Sequence, residues 1–387
     1  MTRDELLQRV VERFGATGAL IACYFAPGRV NIIGEHQDYN GGHVFPAALT
    51  TGIYGAIRVR NDGKFRLYSD NMDHEIIVEP GEELVYRPEW DWANYPLGII
   101  DYVRKAGEDV PGLDLYFSGN LPAGAGLSSS ACILDLTGYM VWSLLGKEPI
   151  NRTALAEMAQ QVEYNFVGVK VGIMDQFAIS QGKKDHGVLL DCTKMEFRHV
   201  PLNWGDYQLV IMNTNKKRGL VDSKFNERKG ECDAALEAIR AHKPLQALAL
   251  GTEADLELIE DDVLRRRARH VITENLRVLA FMEALKRGNS KQIAEIITAS
   301  HESLRYDFEV TGLELDTMVA IARKQKGCLA SRMTGAGFGG CAIALVATAE
   351  VPAFKEAVAK EYEAAIGTAP SMYDAIIGDG VCALDVD

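Results

Sequence analysis

Asp175, in the segment Val169-Lys-Val-Gly-Ile-Met-Asp-Gln-Phe177, is a single carboxylate set among apolar neighbours where a helix is expected to start. An Asp at such a place often serves as a cap. Ionised, it can also orient a hydroxyl and accept its proton late in a phosphoryl transfer. Positioning decides that chemistry more than base strength does, because the transition state is largely dissociative. A second polar group lies between Ala26 and Pro46, where Glu35, His36 and Asp38 fall within four positions. Two carboxylates and an imidazole so close together suit a polyhydroxyl ligand, each hydroxyl of which needs a placed donor or acceptor. His and carboxylates also bind zinc, but Glu-His-x-Asp is adjacent rather than spaced along a helix face, which disfavours a metal there. The flanking Ile32, Ile33, Val44 and Phe45 predict that this polar turn is held against a core.

Two glycine-rich loops complete the candidates. Pro122-Ala-Gly-Ala-Gly-Leu-Ser-Ser-Ser-Ala131 stands between an expected strand and an expected helix. Glycines let backbone N–H groups approach a ligand closely, and the free amides of a helix start attract phosphate. No lysine follows the loop as the Walker pattern requires, and Ser129 stands where a dinucleotide fingerprint needs its third glycine. A phosphate nest and a plain serine-capped turn both remain open. The later Ser331-Arg-Met-Thr-Gly-Ala-Gly-Phe-Gly-Gly-Cys341 contains GxGxxG, but the apolar Cys341–Val346 run after it reads as a strand. The dinucleotide reading loses its context there, leaving a ligand-closing loop or a strained turn.

The elements that must carry these groups follow from periodicity. Leu6, Leu7, Val10, Val11 and Phe14 predict an amphipathic N-terminal helix, and Pro27–Gly42 reads as a turn-rich stretch. Strands are expected at 52–60, 64–68, 75–79 and 113–119. A mostly apolar helix, buried on more than one face, is expected over 128–145, and a second from Asn151 as N-cap to Phe166, stopped by Gly168. A short helix near 173–181 and a strand at 187–191 come next, then a buried strand at 206–213 opening a new unit. Charged helices follow over 224–287 and 290–305, with late strands at 341–347 and 373–377. The reading is an α+β protein of two lobes, 1–204 and 205–387.

The chain has 387 residues, enough for two cores, and a net charge of −13. A net acidic surface argues against nucleic acid and anionic membranes as partners. The seven cysteines include no CxxC pair and read as usage in a reducing compartment. The acidic start Met1-Thr-Arg-Asp-Glu does not resemble a signal peptide, and no apolar run approaches a membrane span. A cytoplasmic monomer is the expectation.

Taken together, the segments resemble the galactokinase family of GHMP small-molecule kinases. Gly28-Arg-Val-Asn-Ile-Ile-Gly-Glu-His-Gln-Asp-Tyr39 is similar to that family's signature, Pro122–Ala131 to its phosphate loop and Ser331–Cys341 to its third motif. Trp92-Ala-Asn-Tyr95, Gly172-Ile-Met-Asp-Gln176 and Asn226-x-Arg228-x-x-Glu-Cys232 match in between, so the likeness runs through the chain in order.

The resemblance implies a ribosomal-protein-S5-like N-terminal lobe, a ferredoxin-like C-terminal lobe, and ATP and sugar in the cleft between them. It implies transfer of phosphate from ATP to the 1-hydroxyl of D-galactose, the first committed step of galactose use in the Leloir pathway. Asp175 would be the catalytic carboxylate and Arg29 the transition-state stabiliser. Glu35, His36, Gln37, Asp38, Gly172 and Phe225 would face the sugar, with Gly337 and Gly339 approaching its pocket. Ser69, Gly124, Ala125, Gly126, Leu127, Ser128, Ser129 and Ser130 would hold the nucleotide, and Ser130 with Glu163 would hold Mg²⁺. Without the family, Glu163 reads as an exposed helical residue. Gln37 replaces a usual threonine, Lys170-Val171 a usual Asn-Cys, and Phe225 a usual tyrosine. Losing that tyrosine's hydroxyl would remove a hydrogen bond worth about 0.5–1.5 kcal/mol. Two alternatives stand beside this reading: a kinase for a related sugar such as N-acetylgalactosamine, and a non-catalytic sugar and ATP sensor.

Overall fold

The computed structural model describes residues 1–122, 126–216 and 221–384, without the side chains of Val221 and Asp222. The chain opens with helix α1 (Arg3–Phe14), which Thr2 and Glu5 cap reciprocally and whose Leu6, Val10 and Phe14 are buried. Strands β1 (Ile21–Ile33), β2 (His43–Arg60), β3 (Phe65–Ser69), β4 (His74–Val78) and β5 (Gly112–Gly119) then build the first sheet. Helices α2 (Asn94–Lys105), α3 (Ser129–Leu144), α4 (Arg152–Val162) and α5 (Met174–Gln181) belong to the same half, with strands β6 (His186–Asp191) and β7 (Glu196–Pro201).

Strand β8 (Tyr207–Asn213) opens the second half, followed by α6 (Val221–Arg240), α7 (Asp262–Lys286), α8 (Ser290–Tyr306) and α9 (Gly312–Lys324). A β9–β10 pair (Cys328–Thr334 and Cys341–Ala347), α10 (Val351–Ile366) and β11 (Ser371–Asp374) complete its sheet. The last strand, β12 (Cys382–Ala383), returns to pair with β1.

The first sheet runs β12-β1-β2-β5-β3-β4, with β6 on β2 and β7 on β6, and only the β3–β5 pair is parallel. The second runs β11-β8-β10-β9, antiparallel throughout. Taken as its first to fourth strands, that order is 4-1-3-2, the ferredoxin-like arrangement the resemblance implies. Each sheet packs its own helices, through Leu97, Leu115, Leu134 and Leu155 in the first half and Val210, Val271, Met318 and Phe354 in the second. A third cluster joins Val30, Ile32 and Phe45 to Ile211, Phe281 and Ile343, and so fixes the two halves against each other.

Most expected elements form where periodicity puts them. Helix α3 is buried almost all round, Asn151 caps α4 by accepting from the Ala154 amide at 3.1 Å, and Gly168 ends the following turn at φ 88°. Pro27–Ile33 is a correction: it is strand, not turn. The 18-residue β2 sustains β1 through the Pro-Gly pair with a register shift between Pro27 and Arg29. A Cβ on Gly28 would lie 2.9 Å from the Leu127 carbonyl, so the glycine lets the strand run tight against the loop before α3. Helices α2, α9 and α10 and strands β7, β9 and β12 are not among the elements expected from periodicity, although Pro352 in the first turn of α10 is a helix-start signal.

Candidate active site

The strand irregularity points Arg29 at Asp175. Arg29 is 5% exposed, and its Nε and Nη2 donate to the two Asp175 carboxylate oxygens at 2.7 and 2.8 Å. This is the planar two-point pairing that guanidinium geometry favours. The third nitrogen, Nη1, donates to the Gly126 carbonyl at 2.9 Å. Asp175 is the second residue of α5, and its side chain spends its acceptors on Arg29 and on the Ser128 hydroxyl rather than on a cap.

Ser128 itself has φ 64°, and its side chain makes no capping bond to α3. The hydroxyl that would satisfy the first α3 amides is therefore turned to the carboxylate. The N-terminus of a 16-residue helix is left open for an anion. The plain serine-capped turn is excluded for Ser128. Gly124 and Ala125 lie outside the described residues.

Two cavities meet here. One, about 200 Å³, is lined by Glu35, His36, Asp38, Tyr39, Tyr95, Glu163, Gly172, Phe225 and Gly335. The other, about 180 Å³, is lined by Leu121, Pro122, Gly126, Leu127, Ser128 and Ser129. Arg29, Ser130, Asp175 and Ala336 line both.

The first cavity is walled by groups whose charge burial has shifted. Glu35 is 1% exposed; it accepts from the Gly335 amide at 3.2 Å and pairs closely with Arg332. Burial pushes its carboxyl above the usual range against the pull of that guanidinium. Burial drives the His36 imidazole down to about 3, with help from His270, so the ring is neutral. Its Nδ1 lies 2.8 Å from the Tyr39 hydroxyl, and its buried Nε2 has no protein partner among the described residues. Asp38 is lifted to about 6, first by burial and then by neighbouring Asp175.

Gly172 is required where it stands, since a Cβ there would lie 2.0 Å from Asp38 Oδ2. The Phe225 ring sits 5.7 Å from His36 and 5.3 Å from Tyr39, an aromatic wall to a polar cavity. Glu163 is 4% exposed in a π-helical turn after α4, and its Oε2 accepts from Gln176 Nε2 at 2.7 Å. The exposed position that helical spacing alone gives it is a correction to that local reading: the widened turn carries the side chain inward.

Other candidates lie elsewhere. Gln37 is fully buried beneath Gly42, where a Cβ would meet its Oε1 at 2.1 Å, and it lines neither cavity. Ser69 ends β3, paired with His74, and also lines neither. In the late loop Gly335 and Ala336 reach the cleft. Gly337 instead packs on Val310 and Gly339 on Lys216. Tyr39, Tyr95 and Arg332 are site residues that local reading did not single out. An arginine inside the apolar-flanked strand Cys328–Thr334 was the available signal for the last. Among the described residues, no group of three His, Cys, Asp or Glu could hold a metal. Nor is any helix among them long and apolar enough to cross a membrane.

Comparison with known proteins gives the chain's relatives. The galactokinase galactose-binding signature matches residues 11–59, the GHMP kinases N terminal domain residues 94–183, and the GHMP kinases C terminal domain residues 281–364. The galactokinase of Halalkalibacterium halodurans is 47% identical over 98% of this chain and 97% of its own. That of Enterococcus faecalis is 48% identical over 97% and 98%. The crystal structure of Lactococcus lactis galactokinase complexed with galactose superposes with a TM-score of 0.94 at 42% identity, covering 98% of this chain and 99% of that one. Methanococcus jannaschii mevalonate kinase, at TM-score 0.67 and 18% identity, shares the fold.

Proposed function

The chain belongs to the galactokinase family of GHMP kinases and phosphorylates galactose, and from that premise we propose how its cleft carries the transfer. The sugar occupies the cavity walled by His36, Asp38 and Phe225, and ATP lies with its phosphates against the loop before α3. The 1-hydroxyl oxygen of D-galactose then attacks the γ-phosphorus. The new O–P bond forms as the bond from the γ-phosphorus to its bridging oxygen breaks, and the products are galactose 1-phosphate and ADP. The hydroxyl proton passes to Asp175. Arg29 holds that carboxylate by two bonds, and its positive charge offsets the charge on the transferring group.

Neutral His36 and the acceptor oxygens of Asp38 suit sugar hydroxyls, while Phe225 and Tyr39 suit the sugar's C–H face. Glu35, already committed to Arg332 and Gly335, forms the floor of this cavity.

The hydroxyl of Ser130 and the carboxylate of Glu163 are hard oxygen donors in the same cavity, the donor type Mg²⁺ takes, and these two residues would hold it. Bound there, Mg²⁺ would neutralise phosphate charge. We place the enzyme in the cytoplasm, in keeping with seven cysteines that form no disulfide.

One observation carries the reading: Arg29, Ser130 and Asp175 line both cavities, so a hydroxyl in one and a phosphate in the other share a corner. An ADP-release assay over a panel of hexoses, with the phosphorylated product identified by NMR, tests it. Turnover with galactose to the 1-phosphate is expected. No turnover at millimolar galactose, with turnover of N-acetylgalactosamine, would overturn the substrate assignment.

A further inference from the structure

The loop carrying Glu35 and His36 leaves β1 through Gly34 at φ 101°, a conformation that fixes neither residue by itself. Its backbone is held from the other half of the chain. Glu274 and His270 stand one turn apart on α7, and both are fully buried. Oε1 of Glu274 accepts the Gly34 N–H at 3.1 Å and the Ser300 hydroxyl at 2.6 Å, while Oε2 accepts from Arg277 Nε at 2.6 Å. His270 Nε2 lies 3.2 Å from the Glu35 carbonyl and Nδ1 lies 3.0 Å from the Ser303 hydroxyl. A carbonyl only accepts, so Nε2 carries the proton and donates. Burial keeps the ring neutral by lowering its pKa to about 4.

The same histidine reaches the cavity a second way. Its ring packs 4.6 Å from Phe308, whose other neighbour, also at 4.6 Å, is the His36 ring. Helix α7 therefore grips the peptide groups on either side of Gly34-Glu35 and supports His36 through Phe308. None of these α7 side chains lines either cavity.

We infer that His270 and Glu274 are positioning residues for the sugar cavity, setting the backbone that aims Glu35 and His36 from across the chain. This rests on the reading of that cavity as the galactose site. Losing the His270–Glu35 hydrogen bond should weaken galactose about three- to tenfold while leaving the nucleotide alone, because the loop before α3 makes none of these contacts.

Titration calorimetry with galactose and, separately, with ATP tests this on the full chain, thermal unfolding being read alongside. H270F keeps a ring against Phe308 and removes the donor; H270Q restores an amide donor at a similar reach. The expected result is galactose binding three- to tenfold weaker in H270F, ATP binding within twofold of wild type, and most of the galactose loss recovered in H270Q. Galactose binding unchanged in a folded H270F would overturn the inference. So would equal weakening of both ligands, or no recovery in H270Q, since these mark a merely structural residue. Should H270F not fold, H270L, which removes the donor and keeps an apolar side chain against Phe308, carries the same criterion, with galactose selectively weakened if the inference holds and unaffected if it fails. A wild-type chain that binds no galactose would instead bring down the functional reading on which the inference rests, a result distinct from wild type and variant binding it equally.

Discussion

Replacing Asp175 separates the chemistry of the cleft from its architecture. Its carboxylate accepts two bonds from Arg29, at 2.7 and 2.8 Å, and a third from Ser128. D175N keeps the volume and one acceptor oxygen but presents an NH₂ to a donor. The pair lies in a cleft, with the Asp175 side chain 30% exposed, so its loss falls below the cost of breaking a dry buried ion pair. About 1.5–3 kcal/mol of stability, the range for a charge-assisted hydrogen bond, is the expected upper range. The chemical effect is larger. Removing the proton acceptor should cost about 10²–10⁴-fold in kcat, or about 3–5 kcal/mol at 1.36 kcal/mol per tenfold. ATP affinity should stay within about threefold, because removing a negative charge near the phosphates can only help them while the α3 amides remain. A coupled ADP-release assay gives kcat, calorimetry gives the ATP Kd, and D175A serves as the harsher variant. A kcat loss under about tenfold, or an ATP Kd weakened as much as kcat, would refute the role.

Other perturbations read the sugar cavity. G172A places a methyl on the Asp38 carboxylate, where the ideal Cβ is 2.0 Å from Oδ2, so the galactose KM should rise about tenfold or more with the ATP KM little changed; equal galactose KM values would mean the carboxylate moves without consequence. F225Y adds a hydroxyl to the aromatic wall and should lower the galactose KM by about two- to tenfold, whereas an unchanged KM would place that hydroxyl out of reach of the sugar. Asp38, lifted from an ordinary 3.8 to about 6, binds its proton more tightly folded than unfolded. Its contribution to folding stability therefore declines as pH rises from about 4 to 6, and D38N should remove that decline in denaturation curves. Galactose affinity should move the other way, falling as pH drops below about 6 and Asp38 loses its second acceptor, because His36 at about 3 stays neutral throughout. A flat galactose Kd from pH 5 to 8 would contradict this.

Legibility in the sequence followed the range of each interaction. Helix α3 announced itself by being apolar on nearly every face, Asn151 and Gly168 by their helix-boundary chemistry, and β8 by its unbroken apolar run, all local signals. Pro27-Gly28 was misread because Pro and Gly signal turns locally, while the strand is sustained by a partner that runs 18 residues alongside it. Helical spacing alone puts Glu163 on the surface, because a π-turn, invisible to a 3.6-residue period, rotates it inward, and only the family resemblance points to it as a ligand. Asp175, His36 and Asp38 stood out by residue type. What holds Glu35 did not: Arg332 is 297 positions away, and nothing near either residue names the other. The late loop's glycines were similarly ambiguous, since positive φ at Gly335, Gly337, Gly339 and Gly340 marks all four alike and only packing brings Gly335 to the cleft.

The corner shared by the two cavities should bring one hydroxyl and one phosphate face to face across Asp175. A crystal structure of the chain with galactose, a non-hydrolysable ATP analogue and Mg²⁺ tests it most directly. The sugar's O1 should lie within hydrogen-bond reach of Asp175 and point along the axis of the terminal phosphate, with the phosphates on the amides of residues 126–130. Galactose bound with O1 turned from Asp175, or a nucleotide seated away from the α3 N-terminus, would contradict it.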